Sequence, residues 1–195
     1  MFVLKPHSEE SVRNFISEQR RSSFSYSEVG ATAAVPPPGY NIDHDRVMLG
    51  TGEATWNQAV CAVQRWEMFH IAWIRLFWPT ADIRIGTDVA VEVRHYRFYS
   101  LNACRIVYLV DESGPLSRYG FAYGTLQEHA ETGEERFTIE WDRVKDEVWY
   151  DILAFSRPKN IFAKLAYPLS RSLQKQFAEA SKLAMSNACR AEAFK

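Results

Sequence analysis

Hydrophobic positions along this chain change period twice, and each change marks an element. In residues 8–21, Val12, Phe15, Ile16 and Gln19 recur at three and four residues behind Ser8, with Glu9 and Glu10 in the first turn; this predicts a short capped amphipathic helix. Residues 22–41 lose that period and end in Val35-Pro36-Pro37-Pro38-Gly39, which cannot continue a helix and favours an extended tether. Val47 and Leu49 alternate with Arg46 and Met48 in a strand that stops at Gly50-Thr51-Gly52. A helix is predicted over 53–69, where Trp56, Ala59, Val60, Val63 and Trp66 form one apolar stripe. The period then drops to two, predicting six strands at 72–78, 89–96, 105–111, 118–126, 135–141 and 148–156. From about residue 160 to 190 the helical period returns, with Leu165, Leu169, Leu173, Phe177, Ala180, Ala184 and Ala188 on one face and Arg171, Lys175, Glu179 and Lys182 on the solvated one. Pro168 is expected to kink this helix or to divide a short helix from a long one.

Several strands are apolar on both faces. Ile106, Tyr108 and Val110 back onto Val107 and Leu109, and Val148, Tyr150 and Ile152 onto Trp149, Leu153 and Phe155. Such a sheet must be covered or must wrap around something. The only element long enough to cross it is the C-terminal helix, which at 1.5 Å per residue reaches about 45 Å. The fold class is therefore α+β: a curved antiparallel sheet gripping a long C-terminal helix, with an N-terminal helical extension. This order resembles the START-like, or Bet v 1-like, helix-grip arrangement, and the resemblance implies a gap between sheet and helix that often serves as a ligand cavity. We expect an N-terminal helix and tether over 1–41 and a single domain over 42–192. In the hairpin at 120–137, Phe121, Tyr123 and Thr125 share one face, while Gly120, Ala122 and Gly124 leave the other almost bare; the long helix is the expected partner of that bare face.

Composition narrows the partners. The 23 basic and 24 acidic residues give a formal net charge of -1, so no overall field recruits nucleic acid or an anionic membrane. Aromatic residues make up 14% of the chain, enough to line a cavity as well as a core. Cys61, Cys104 and Cys189 are widely spaced, with no C-x-x-C pair and no clustered His, which predicts reduced thiols and neither a disulfide framework nor a zinc site. With no secretory signal pattern and no run of about 20 apolar residues, a cytoplasmic protein without a membrane span is expected.

Candidate chemistry concentrates at the hairpin tip. His129 with Glu134 or Glu135 pairs an imidazole with a carboxylate, a combination suited to general base work near neutral pH; the bland alternative is a solvated tip. Arg105, Tyr123 and Arg157 sit within or at the ends of apolar strands, where a polar group needs a partner, and are candidates to meet a ligand headgroup; Tyr167, at the helix entrance, is a candidate gate. Asp43-His44-Asp45-Arg46 hints at a metal site, but strand alternation lets only Asp43 with Asp45, or His44 with Arg46, converge, and an ion pair of Arg46 is favoured. The Gly-Thr-Gly turn lacks the lysine of a phosphate loop, Ser156 lacks a nucleophile-elbow context and Cys104 lacks a neighbouring His. No metal and no cofactor are expected.

The chain resembles the domain of unknown function 1990 family of bacterial and plant proteins. The likeness runs through FSYSEVGAT at 24–32, DHDRVMLGTGEATW at 43–56, CRIVYLVDE at 104–112, GFAYGTLQEHAETGEERFTIEW at 120–141, VWYDILAFSRP at 148–158 and LAYPLSRSLQKQF at 165–177. It implies no activity. Three readings stay open: a carrier or sensor holding a small hydrophobic or amphipathic molecule between sheet and helix, a cyclase- or hydrolase-like enzyme using His129 and a nearby Glu, and an interaction or envelope-associated protein whose cavity is filled.

Overall fold

In a computed structural model, which describes residues 2–159 and 167–191, the six alternating segments are six long or medium strands of one antiparallel sheet. Chain order is β1 (Phe2–Val3), α1 (Glu9–Gln19), β2 (Asn41–Thr51), α2 (Gly52–Gln64), β3 (Ile74–Phe77), β4 (Asp88–His95), β5 (Phe98–Glu112), β6 (Leu116–Thr125), β7 (Glu131–Asp142), β8 (Glu147–Pro158) and α3 (Tyr167–Ala191). The strands lie in the order β2-β8-β7-β6-β5-β4-β3, with β1 on β5, so the first long strand closes beside the last. The helix-grip fold follows: the inner face of the curved sheet holds α2 and α3, and the outer face holds the N-terminal segment.

Alternation sorts the strands between these faces. Val89, Val91, Cys104, Phe121, Phe137 and Ile139 point inward into the main core with Val63, Trp66 and Met185. On the outer face, Val12, Phe15 and Ile16 of α1 pack on Ala90, Leu101, Ala103 and Leu126 in a second cluster. Ser8 caps α1, its Oγ accepting from the Ser11 N–H at 3.2 Å.

Three expectations are corrected. The helix expected over 53–69 stops at Gln64, because Trp66 takes a left-handed conformation (φ 58°) that turns its indole into the core, edge-on to Phe121 and donating to the Ala81 carbonyl at 3.0 Å. A bulge between Ile106 and Tyr108 rotates β5, so that Ile106 enters the core while the Tyr108 hydroxyl bonds Thr32 Oγ1 at 2.7 Å on the outer face. The bare glycine face turns outward and receives the tether in place of the long helix. A Cβ on Gly124 would lie 2.1 Å from Tyr26 Oη. We therefore expect Gly124→Ala to push Tyr26 off the sheet and to destabilise the fold by about 1–3 kcal/mol, measured as a drop in the urea midpoint at unchanged slope.

α3 spans 25 residues, about 37 Å. Pro168 stands in its first turn, where a missing N–H costs nothing; residues 160–166, the expected start of this helix, lie outside the described residues. The buried stripe runs through Ala178, Ser181, Met185 and Cys189, because a strict four-residue spacing drifts around a helix of 3.6 residues per turn, carrying Ala180 and Ala184 off the contact. Two residues assigned to the solvated face turn to the sheet instead: Arg171 forks onto Asp43 at 2.5 and 2.6 Å, and Lys182 reaches Asp45 at 3.0 Å. These pairs clamp α3 across β2.

Candidate functional site

Between the inner face and α3 the core does not close. A cavity of about 450 Å³ remains, walled by Val91, Val93 and Phe98 at one end, Ile152 and Ala154 along β8, and Leu173 and Phe177 on the helix. Its surface is mostly apolar, as in small-molecule pockets, with a few convergent polar groups. The inward phase of β6 and β7 sets the most significant of these. Phe121 and Phe137 face each other across the ladder in the core, and two residues along each strand the same phase brings Tyr123 and Glu135 together.

Tyr123 Oη donates to Glu135 Oε2 at 2.9 Å. This is the one side-chain hydrogen bond of Glu135 among the described residues, and no described cation pairs with it. Burial raises the Glu135 carboxyl to about pH 7 against the pull of the Tyr123 hydrogen bond, and the charges of Asp43 and Glu131 add to the rise. Tyr123 and Tyr150 are pushed well above the ordinary phenol range, chiefly by burial. Tyr150 hydrogen-bonds Ser181 on α3 at 2.9 Å. Around the same wall, Gln174 donates to Glu131 and to Ser156 Oγ, and Ser170 donates to Glu131.

His129 also lines the cavity, at the β6–β7 tip. Its Nδ1 lies 3.0 Å from the Glu131 backbone nitrogen and 3.1 Å from the Glu131 carbonyl oxygen. Burial lowers its pKa to about 4, so the ring is neutral at physiological pH.

Glu134 lies one residue from Glu135 and on the other side of the sheet. There its carboxylate accepts from Tyr26 Oη (2.6 Å), the Gly30 N–H (2.7 Å), the Thr32 N–H (2.9 Å) and Thr32 Oγ1 (2.5 Å), tying the tether down. The neighbouring Arg136 bonds the Thr32 carbonyl at 2.9 Å and Asp151 at 3.0 Å. Glu134 and His129 are thus held apart, with no hydrogen bond between them among the described residues.

Of the residues expected to meet a ligand, Tyr123 stands on the cavity wall. Arg105 faces outward, paired with Asp88 at 2.6 Å and donating to the carbonyls of Gln19, Arg20 and Ser22, where it closes the end of α1. Arg157 faces outward too, its guanidinium 4.3 Å from the Tyr40 ring centroid. Tyr167 begins α3, but its side chain lies outside the described residues. The acidic run of β2 divides as alternation requires: Asp43 and Asp45 face α3, while His44 meets Asp151 at 2.6 Å and Arg46 meets Glu140 at 2.8 Å. Among the described residues no three His, Cys, Asp or Glu side chains converge as a metal site. Glu131 and Gln174 were missed as wall residues. Glu131 shares the inward phase of Phe137 and Glu135, a signal present in the sequence; Gln174 carried none, being one polar residue of a long helix.

The family described as Domain of unknown function (DUF1990) matches residues 25–184. The chain belongs to the DUF1990 family. It is 33% identical to a UPF0548 protein of Dictyostelium discoideum, covering 91% of this chain and 90% of that one, and 36% identical to a UPF0548 protein of Deinococcus radiodurans, covering 90% and 92%. Among solved structures, a hypothetical protein of Helicobacter pylori superposes with a TM-score of 0.54 at 10% identity, over 78% of this chain and 90% of that one, a likeness of fold alone. The DUF1990 match takes in the tether from residue 25, which includes the Tyr26 and Thr32 contacts to Glu134. No helix among the described residues of this DUF1990 chain is long and apolar enough to cross a membrane.

Proposed function

We propose that this DUF1990 protein binds a small amphipathic molecule between sheet and C-terminal helix, its apolar body against the Phe69, Ile152 and Phe177 walls and its polar end at Glu135 and Tyr123. The observation that carries this reading is the cavity itself: about 450 Å³ of mostly apolar space between the sheet and α3. A ligand filling such a space makes dispersion contacts with its apolar walls. The polar end is fixed by a carboxyl and a phenol on adjacent strands, which orient a ligand rather than merely admit one.

The enzyme reading draws on one observation, and it moves the candidate base from His129 to Glu135. A cavity carboxyl that titrates near pH 7 is matched to proton transfer at physiological pH, whereas an imidazole held near pH 4 is a weak base.

Native mass spectrometry of protein purified from its own host tests the binding reading. A copurified small molecule is expected on the wild type. In Ala154→Phe, whose ring would occupy the space in front of β8, it is expected to fall at least tenfold. A bare mass for wild type and variant alike would count against the reading.

A further inference from the structure

We infer that the cavity takes an organic cation, a primary ammonium carried on an aromatic or aliphatic body, with Glu135 as its counter-ion. The inference rests on the proposed binding function and adds the chemistry of the ligand. Its basis is an imbalance of charge within the site. Three carboxyl groups on two strands, Asp43 of β2 and Glu131 and Glu135 of β7, lie along the cavity wall, and the charges of Asp43 and Glu131 both favour the protonated form of Glu135. Among the described residues, the cations on the α3 side of this wall are committed: Arg171 forks onto Asp43 and bonds Gln174, and Lys182 bridges Asp45 and Glu179. Among the described residues, the Glu131 carboxylate receives the neutral Ser170 and Gln174 side chains. The Glu135 carboxyl receives, among the described residues, the Tyr123 hydroxyl alone.

Lys159 acts on His129 at the tip and donates to the Gln127 carbonyl and Oε1; the other titratable groups described around this region supply no positive charge. Cys104 of β5 and Tyr150 of β8 are held protonated and neutral by burial. His129 at the tip is neutral, and His95 at the β4–β5 end is held below the ordinary imidazole range by burial.

A carboxylate ligand would add a further negative charge to this wall. An alcohol would find hydrogen bonds but leave the charge imbalance as it is. An ammonium would give the Glu135 carboxylate a cationic partner that no described residue supplies, and would lie among the aromatic rings of Phe69, Tyr123 and Phe177, whose faces attract cations. Since Glu135 is protonated below about pH 7, ammonium binding releases that proton, and affinity falls about tenfold for each pH unit below this value.

The test is fluorescence titration with three probes sharing one ring system: naphthylmethylamine, naphthylmethanol and naphthoate. The amine is expected to bind tightest at pH 8 and about thirtyfold more weakly at pH 5.5, while the alcohol changes less than threefold. Glu135→Gln is expected to remove the amine's advantage and its pH dependence and to leave the alcohol bound. An alcohol or naphthoate that binds as tightly as the amine at pH 8, yet is expelled by Ala154→Phe, overturns the cation and leaves the cavity function standing. Absence of binding by all three probes overturns both.

Discussion

Glu134→Leu is expected to lower the unfolding free energy by at least about 4 kcal/mol, since four buried donors lose their acceptor at about 1–3 kcal/mol each. Four donors converge on this buried carboxylate, two of them backbone N–H groups of the tether that have no alternative once the carboxylate is gone. Tyr26→Phe removes a single donor and leaves the acceptor otherwise satisfied, so its cost should stay near 1 kcal/mol. Urea denaturation of the two variants measures the difference, and proteolysis should cut Glu134→Leu first between residues 22 and 40, where the tether comes loose. A loss below about 1 kcal/mol for Glu134→Leu would mean that the tether is not held by this carboxylate.

The second large effect is a dependence of stability on pH set by two cavity groups of opposite sign. Glu135 titrates near pH 7 when folded and near its ordinary value of 4.5 when unfolded, so between these values the folded state binds the extra proton. Its contribution is fully present below about pH 4.5 and is lost as pH rises through 7, a change of about 3 kcal/mol. His129 runs the other way: its folded pKa lies near 4 and its ordinary value is 6.5, so its contribution is present above pH 6.5 and is lost as pH falls through 4. In the wild type the two slopes largely cancel between pH 4.5 and 6.5. Glu135→Gln removes one of them, and the variant should therefore gain about 3 kcal/mol relative to wild type between pH 4.5 and 8. Chemical denaturation at a series of pH values measures this; parallel curves for wild type and variant would place Glu135 in contact with bulk water.

The contrast between these two neighbouring acids shows what was legible in the sequence. Alternation over 105–156 carried the sheet, and the apolar stripes carried the helices, because burial on one face imposes a period that survives in the residue order. The same alternation held the key to the site. Glu135 shares the phase of Phe137, and Glu134 does not, so one step along β7 separates a cavity carboxyl from a carboxylate that anchors the tether. The contact of Tyr26 with Gly124 was not legible, since it joins an aperiodic tether to a strand about a hundred residues away and no local propensity records it. Nor was the outward turn of Tyr108, which depends on a bulge. Arg105 and Arg157 were singled out because charges inside apolar strands need partners; they have them, in Asp88 and in the ring of Tyr40.

The central claim, that the gap between sheet and α3 is a binding site, is tested most directly by titrating wild type and Ala154→Phe with N-phenylnaphthylamine, a neutral dye that brightens in apolar surroundings. Saturable binding to one site in the wild type, lost in a variant that keeps its circular dichroism spectrum and unfolding midpoint, is the expected result. Equal binding to both proteins, or none to the wild type, would contradict it.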